Sequence, residues 1–366
     1  MTRLSEADRR MRQSGLCQRW LGEADAAVTR VVREINGPLF EQPLRQSDYD
    51  DMACLDLLRH GAPMTGCVGV ERHTHISSLC ETQAVHDLMA SCRSSNNCLW
   101  WELDCGSESK SSQALRQATE DDAARGRASA PVRIEECDLG KVLLHPRFPN
   151  VREKPDGSTK VRPIDNLSWA ANGQGKGAST NGCAFAQDSV SHDSVDALAN
   201  GMEVFKANVG EVPGLWKADV DAAFRRVPKH PDDRWSCAYA FKSEGQILCS
   251  THYACPFGAV GSVHAWERIG AAIAHIARVY LKTPVLRYVD DFFAPERRGS
   301  MAHAMQCFAE LVRMLLGPEA IADGKLEYGS SLVVLGVHVE ASSKGYRFQP
   351  SRCKVEKWTK QVDLAL

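Results

Sequence analysis

Apolar positions follow two different rhythms along this chain. Before residue 130 they recur at helical spacing. Val28, Val31, Val32 and Ile35 share one face and stop at Gly37-Pro38, while Met52, Leu55 and Leu58 repeat the pattern before Gly61. Ser111 to Arg125 reads as another helix, closed by Gly126. Residues 67–110, rich in Ser, Cys, Asn and His, carry no period and predict no element. From Pro131 onward short β-prone runs take over. Val142-Leu143-Leu144 and Val161-Arg162-Pro163-Ile164 flank Lys154-Pro155-Asp156-Gly157, whose composition favours a turn. Asn172 to Asn181, polar and Gly-rich, predicts a loop.

Next come a strand at Leu215–Val220 and a hairpin of Cys237–Phe241 and Ile247–Thr251 around Ser243-Glu244-Gly245. Ser262 to Leu281 predicts a long helix with Val263, Trp266, Ile269, Ile273, Ile276 and Tyr280 on one stripe of core packing. A second β-prone segment runs from Val285 to Ala294. A further helix carries Met301, Met305, Phe308, Val312 and Leu315 and ends at Gly317-Pro318, and Leu332–Val339 reads as a strand. Helices and strands alternate irregularly with a hairpin among them, so the pattern predicts an α+β fold rather than a doubly wound parallel sheet.

The chain's 366 residues are 43% apolar and 25% charged, which excludes a disordered or fibrous protein and leaves room for about two domains. The start is polar and no apolar run reaches about 18 residues, so a secretory leader and a membrane helix are not expected. The expectation is an intracellular protein, cytoplasmic or nuclear, without a membrane partner. A net charge of −2 excludes a globally basic nucleic-acid binder; such binding must use local patches. Fourteen cysteines lie scattered without a C-x-x-C, as expected of free, mostly buried thiols. The other reading is a metal site among His73, His75, Cys80, His86, Cys92, Cys98 and Cys105. These are zinc-ligand types, but their gaps fit neither a finger nor a ribbon.

The most informative segment is Val285 to Phe293, where Asp290-Asp291 interrupts an apolar run. In a hairpin these aspartates would sit at the tight end, where Asn-Gly or Asp-Gly is favoured because positive φ is needed. Two carboxylates about 4 Å apart near a surface repel by roughly 4 kcal/mol, so one stays protonated or a cation lies between them. Lys217-Ala218-Asp219-Val220-Asp221 again puts acid into a β-prone run, with Asp219 and Asp221 on one face if the strand continues that far. Carboxylates converging from two strand ends would suit a two-metal site for phosphoryl transfer, with magnesium as the fitting ion. From Lys141 to Asp165 six basic residues (Lys141, Arg147, Arg152, Lys154, Lys160, Arg162) face three acids (Glu153, Asp156, Asp165), the makings of a basic hairpin over triphosphate oxygens. The plainer alternatives are a solvated acidic turn and an ordinary charged hairpin.

Taken in order, these motifs resemble the reverse transcriptases, RNA-directed DNA polymerases of retroelements. Tyr288-Val289-Asp290-Asp291 is similar to the family's Tyr-x-Asp-Asp box. Asp219-Val220-Asp221-Ala222-Ala223-Phe224 resembles its earlier Asp box, with an aromatic five positions after the catalytic Asp. Cys255-Pro256-Phe257-Gly258-Ala259-Val260-Gly261-Ser262 resembles the Pro-Phe-Gly turn before the template-facing helix. Lys154 through Arg162, with Pro163-Ile164-Asp165, resembles the fingers hairpin. Lys325 and Val334-Leu335-Gly336 stand where the family has a late lysine and its primer-gripping turn. Asp219 and Asp290 lie 71 residues apart, a fitting gap for the intervening hairpin, turn and helix.

The resemblance covers about Pro131 to Gln349. It implies fingers over about 131–215, an antiparallel palm sheet backed by helices over about 216–349, and the start of a truncated thumb or connection at 350–366. Residues 1–130 form a mostly helical extension of no assigned role. By the same resemblance Asp219, Asp290 and Asp291, with the Val220 carbonyl, would hold two magnesium ions, or manganese in their place. Lys154 and Arg162 would contact a deoxynucleoside triphosphate. Phe224 would exclude a 2′-hydroxyl, Phe257 and Gly258 would line the base-pair pocket, and Lys325 would protonate the departing pyrophosphate. The implied partners are an RNA or DNA template with its primer. The chain ends at Leu366 with no RNase H, protease, integrase or recombinase segment following, which leaves open a fragment or a decayed copy. Arg162-Pro163-Ile164-Asp165 and the long N-terminal region look most like the tyrosine-recombinase type of retrotransposon. Two other classes fit parts of the pattern. An inactive RNA-binding remnant would keep the fold, and a nucleotide cyclase would share an acidic sheet but need neither the basic hairpin nor the Pro-Phe-Gly turn.

Overall fold

A computed structural model of the chain describes residues 2–69, 79–153, 159–171, 177–186 and 188–365. Lys154 and the turn beside it lie outside the described residues, as do His73, His75 and residues 172–176 of the Gly-rich loop. The fold is α+β. Its centre is a four-stranded antiparallel sheet in the order 327–329, 214–219, 291–296, 286–288. Strand alternation gives this sheet two apolar faces. Trp216, Ala218, Phe292 and Ala294 turn to the helices Val260–Ile276 and Met301–Leu316 in the main core, and Leu215 and Phe293 join a second cluster with Leu198, Met202 and Leu332. Phe308 anchors the first face, its ring 5.1 Å from Trp216 and 5.0 Å from Phe292.

The N-terminal segment supplies Met11, Val32, Leu39, Phe40, Leu44, Leu55 and Leu58 to that same main core. Gly37-Pro38 opens a helix, Gly37–Gln46, instead of only closing the one before. Asn36 caps it by accepting from the Leu39 N–H, and proline is tolerated in a first helical turn because no donor is needed there. The unpatterned stretch contains two helices, Leu79–Ala90 and Cys92–Cys105. The second buries Cys92, Ser95, Asn96 and Leu99, and this mixed polar face hid it from a hydrophobic count. Asn96 takes the place of an apolar anchor, donating to Leu139 O and Val142 O and accepting from Leu144 N. Among the described residues no group of three His, Cys, Asp or Glu could hold a metal ion as it stands, and Cys54, Cys92, Cys183, Cys237, Cys249 and Cys255 are buried free thiols.

A five-stranded sheet in the order 132–133, 246–251, 238–243, 144–153, 159–165 lies beside the central one, with a single parallel pair between 144–153 and 238–243. Its hairpin turns on Glu244 (φ 55°) and Gly245 (φ 73°), the two positive φ values of a type I′ turn. Leu332–Val339 is two strands, Ser331–Val334 and Val337–Ser342, because Leu335 (φ 50°) and Gly336 (φ 74°) turn the chain back. Among the described residues no helix is long and apolar enough to cross a membrane.

Candidate active site

Asp219 ends the Gly214–Asp219 strand and faces Asp291, the first residue of Asp291–Glu296, in antiparallel register. Cross-strand partners have Cα atoms about 4.5–5.5 Å apart, so the two carboxylates share one sheet face at one end of the two central strands. Tyr288 pairs with Asp291 across a two-residue turn, Val289-Asp290. The Val220 N–H donates to Asp290 O at 3.0 Å and fastens that turn to the neighbouring strand end. The register thus brings Asp219, Val220, Asp290 and Asp291 together.

The turn differs from the expectation of paired aspartates at its apex. Positive φ falls on Val289 (52°) and Asp290 takes the second turn position, the φ pattern of a type II′ turn, for which glycine is the usual first residue. A β-branched residue in this region costs about 1–3 kcal/mol unless its surroundings hold it there. They do: the Val289 carbonyl accepts from Trp266 Nε1 at 2.8 Å and Arg287 Nη1 at 3.1 Å. Buried Arg287 also pairs with Glu267, which lies 3.1 Å from His192 Nδ1. Gly270 leaves the space, since a Cβ there would meet the Arg287 side chain at 3.0 Å. Sequence reasoning placed Trp266 among core residues only and missed Arg287. The available signal was a lone guanidinium inside an apolar strand.

Burial and mutual repulsion outweigh the cations near the carboxylates of Asp290 and Asp291. Burial, then Asp290 and Asp219, push the Asp291 carboxyl up from 3.8 to about 6, against the opposing pull of Lys325 and Lys217. Burial and Asp219 also raise Asp290, while Lys325 and Arg162 hold it down. Lys325, expected as a proton donor to pyrophosphate, has its Nζ 2.7 Å from Asp219 Oδ1 and pairs with that carboxylate here. The strand stops at Asp219, and Asp221 falls in the following loop. Its N–H donates to Ala320 O and its side chain, 4.0 Å from Arg226, is half exposed, so it leaves the face it was expected to share.

Phe224, half-buried, meets exposed Phe257 edge-on at 5.4 Å. Gly258 adopts φ 92°, and a Cβ would lie 3.1 Å from Asp165 O, so glycine is required here for both reasons. Asn181, read in the sequence only as the end of a loop, pins this turn: its Nδ2 donates to Gly258 O at 2.9 Å and its Oδ1 accepts from Val260 N at 3.0 Å. Arg162 is exposed on Thr159–Asp165, opposite Asn150.

Arg147 does not belong to the basic surface. It is buried, bidentate to Asp165 at 2.7 and 2.9 Å, bonded to Thr119 Oγ1, and stacked 3.4 Å from the Tyr239 ring. His252 Nε2 lies 2.9 Å from Asp165 Oδ2, and its Nδ1 faces Arg225 at 3.0 Å, which fixes a neutral ring. Burial and Arg225 pull this imidazole down to about 3, and Arg147 holds the Asp165 carboxyl well below the usual carboxylate range.

No family profile and no curated protein matches this sequence. Solved structures do. The foamy viral protease-reverse transcriptase in complex with an RNA/DNA hybrid is similar over 69% of this chain and 28% of its own, at 17% identity and a TM-score of 0.47. The same protein in complex with dsDNA is similar over 69% of this chain and 44% of its own, at 16% identity and a TM-score of 0.45. The native prototype foamy virus protease-reverse transcriptase covers 64% of this chain and 27% of its own, at 16% identity and 0.43. The chain therefore spans less than half the length of these matched structures.

Proposed function

We propose that this chain is an RNA-directed DNA polymerase that adds deoxynucleotides to a primer 3′-hydroxyl on an RNA or DNA template. Its origin in this reading is a retroelement, a retrotransposon of the tyrosine-recombinase type, with fingers over about 131–215 and palm over about 216–349. The observation that carries the reading is strand register: Asp219 stands opposite Asp291, with Asp290 in the adjoining turn. Asp290 and Asp291, whose carboxyls burial and repulsion hold above their ordinary range, and Asp219 are hard oxygen donors that fit magnesium, or manganese in its place. Asp219, Asp290, Asp291 and the Val220 carbonyl would hold two such ions, which when bound supply charge neutralisation for phosphoryl transfer.

The chain's own residues do the positioning. Val289, fixed by Trp266 and Arg287, presents Asp290 and Asp291 without reorganisation. Arg162, and Lys154 eight positions before it, would hold the triphosphate of the incoming nucleotide, where guanidinium geometry suits phosphate. Phe224, steadied by Phe257, would close the space a 2′-hydroxyl needs. The bare backbone at Gly258 would let a base pair approach. Lys325 would leave Asp219 and keep a proton for the departing pyrophosphate.

Primer extension on an RNA template tests the reading. Asp290→Asn should lose at least about 100-fold in rate, or roughly 2.7 kcal/mol of barrier lowering. Equal extension by wild type and variant refutes it. RNA retention without magnesium-dependent extension by the wild type would identify an inactive RNA-binding remnant instead.

A further inference from the structure

We infer that the chain carries a second anion site, built for a phosphate group, where its N-terminal helices meet the loop that follows the Asp219 strand. A cavity of about 50 Å³ lies there, walled by Arg33 and Glu34 after the Ala26–Val32 helix, Arg125 and Arg127 after the Ser112–Ala124 helix, and Arg225-Arg226 with Glu319. That is room for several waters, or for one tetrahedral oxyanion.

Five guanidiniums and two carboxylates line this space. Two of the guanidiniums are already engaged. Arg225 donates to Asp122 at 2.8 Å and faces His252, and Arg226 donates to Asp221 O at 2.8 Å and to Leu316 O at 3.3 Å. Glu34 and Glu319 act on Arg226. Arg33, Arg125 and Arg127 have neither a hydrogen bond nor an ion pair from their side chains among the described residues. Arg127 is half-buried; burial first, and then the charges of Arg225, Arg226 and Arg125, pull it down to about 10 against the opposing pull of Asp122. Crowded like charges of this kind persist at a cost unless an anion joins them. Planar donor forks arriving from three segments suit phosphate oxygens, which guanidinium grips bidentately.

The occupant would bridge the N-terminal helices to Arg226, whose other bond ends two residues past Asp219. The site needs no catalysis and stands apart from the polymerase reading. A phosphate group can come from a soluble anion or from a polynucleotide backbone, and one experiment separates the two. The full chain is melted in EDTA against inorganic phosphate, pyrophosphate or a short single-stranded oligonucleotide, with chloride at matched ionic strength as the control. The midpoint should climb to saturation with at least one phosphate probe. Half-saturation should move up about tenfold or more in the Arg33→Gln/Arg125→Gln variant, whose exposed side chains hold nothing else in place. Arg127→Gln should do the same. Tighter binding of the oligonucleotide, lost in these variants, assigns the site to a nucleic-acid backbone; tighter binding of phosphate or pyrophosphate, lost likewise, assigns it to a soluble anion. An equal climb with chloride, or half-saturation unmoved in both variants, overturns the site.

Discussion

Replacing Asp291 by Asn should make the protein more stable while it removes the proposed activity. In the folded chain this carboxyl is raised from 3.8 to about 6, first by burial and then by Asp290 and Asp219. A folded value above the unfolded one means that the folded state binds the proton more tightly, so the ionised carboxylate works against folding. The penalty is fully present above the folded value and fades as pH falls towards 3.8. At 1.36 kcal/mol per unit it amounts to about 3 kcal/mol at pH 7.5, about 1.5 at pH 5 and about 0.5 at pH 4. Asparagine keeps the shape and discards the charge. For 366 residues unfolding entropy is about 0.8 kcal/mol per kelvin, so the variant should melt about 4 °C higher at pH 7.5. Thermal melting in EDTA at the three pH values measures this directly. Added magnesium should narrow the gap by stabilising the wild type more than the variant. A variant no more stable than wild type at pH 7.5, or one whose advantage is unchanged at pH 4, refutes the electrostatic reasoning.

Two further substitutions probe the aromatic pair and the buried ion pair of the hairpin. Phe224→Val should admit ribonucleotides in single-nucleotide incorporation assays, since it removes the ring that Phe257 steadies; unchanged sugar discrimination would return Phe224 to a purely packing role. Arg147→Met should destabilise by about 3–5 kcal/mol in denaturant melts, because it strands the buried Asp165 with a neutral His252. Arg147→Met/Asp165→Leu should recover most of that loss, and a single variant as stable as wild type would show that the pair contributes nothing.

How much of this was legible in the sequence depended on whether polar residues served as signals or as structure. The acids of the central sheet were legible because carboxylates in β-prone runs have no packing reason to be there. The long helices after Val260 and Met301 were legible because their buried faces are almost wholly apolar. Cys92–Cys105 was not, since it docks through Asn96 and Ser95, and polar anchors leave no hydrophobic period. Arg147 misled for the opposite reason. Its charge looks solvated until Asp165, 18 positions away, closes on it across the hairpin. At Leu335 the local pattern read as continuous strand, because leucine at φ 50° is a choice that only the neighbouring Gly336 hints at, and the turn was signalled by family resemblance alone. Asn181 acts through hydrogen bonds to a turn 77 to 79 positions on, and Arg287 through an ion pair with Glu267 on another element, which no local pattern encodes.

The Val289 turn explains why adjacent aspartates can occupy so tight a bend. A glycine at that position would accept the positive φ freely, but it would also let the turn sample other shapes, and Asp290 and Asp291 would move with it. Valine pays for the same φ with strain, and two donors from separate elements, Trp266 on the long helix and Arg287 on the strand before, fix the peptide that carries the strain. Arg287 is in turn held by Glu267, one residue along that helix from Trp266, and by its own backbone, whose N–H donates to Asp193 Oδ2 at 2.8 Å. The helix therefore grips the turn twice, once through an indole and once through an ion pair. Carboxylates that repel one another would spread apart on a soft turn. On this one they stay where register puts them, and their repulsion remains available to any cation that enters.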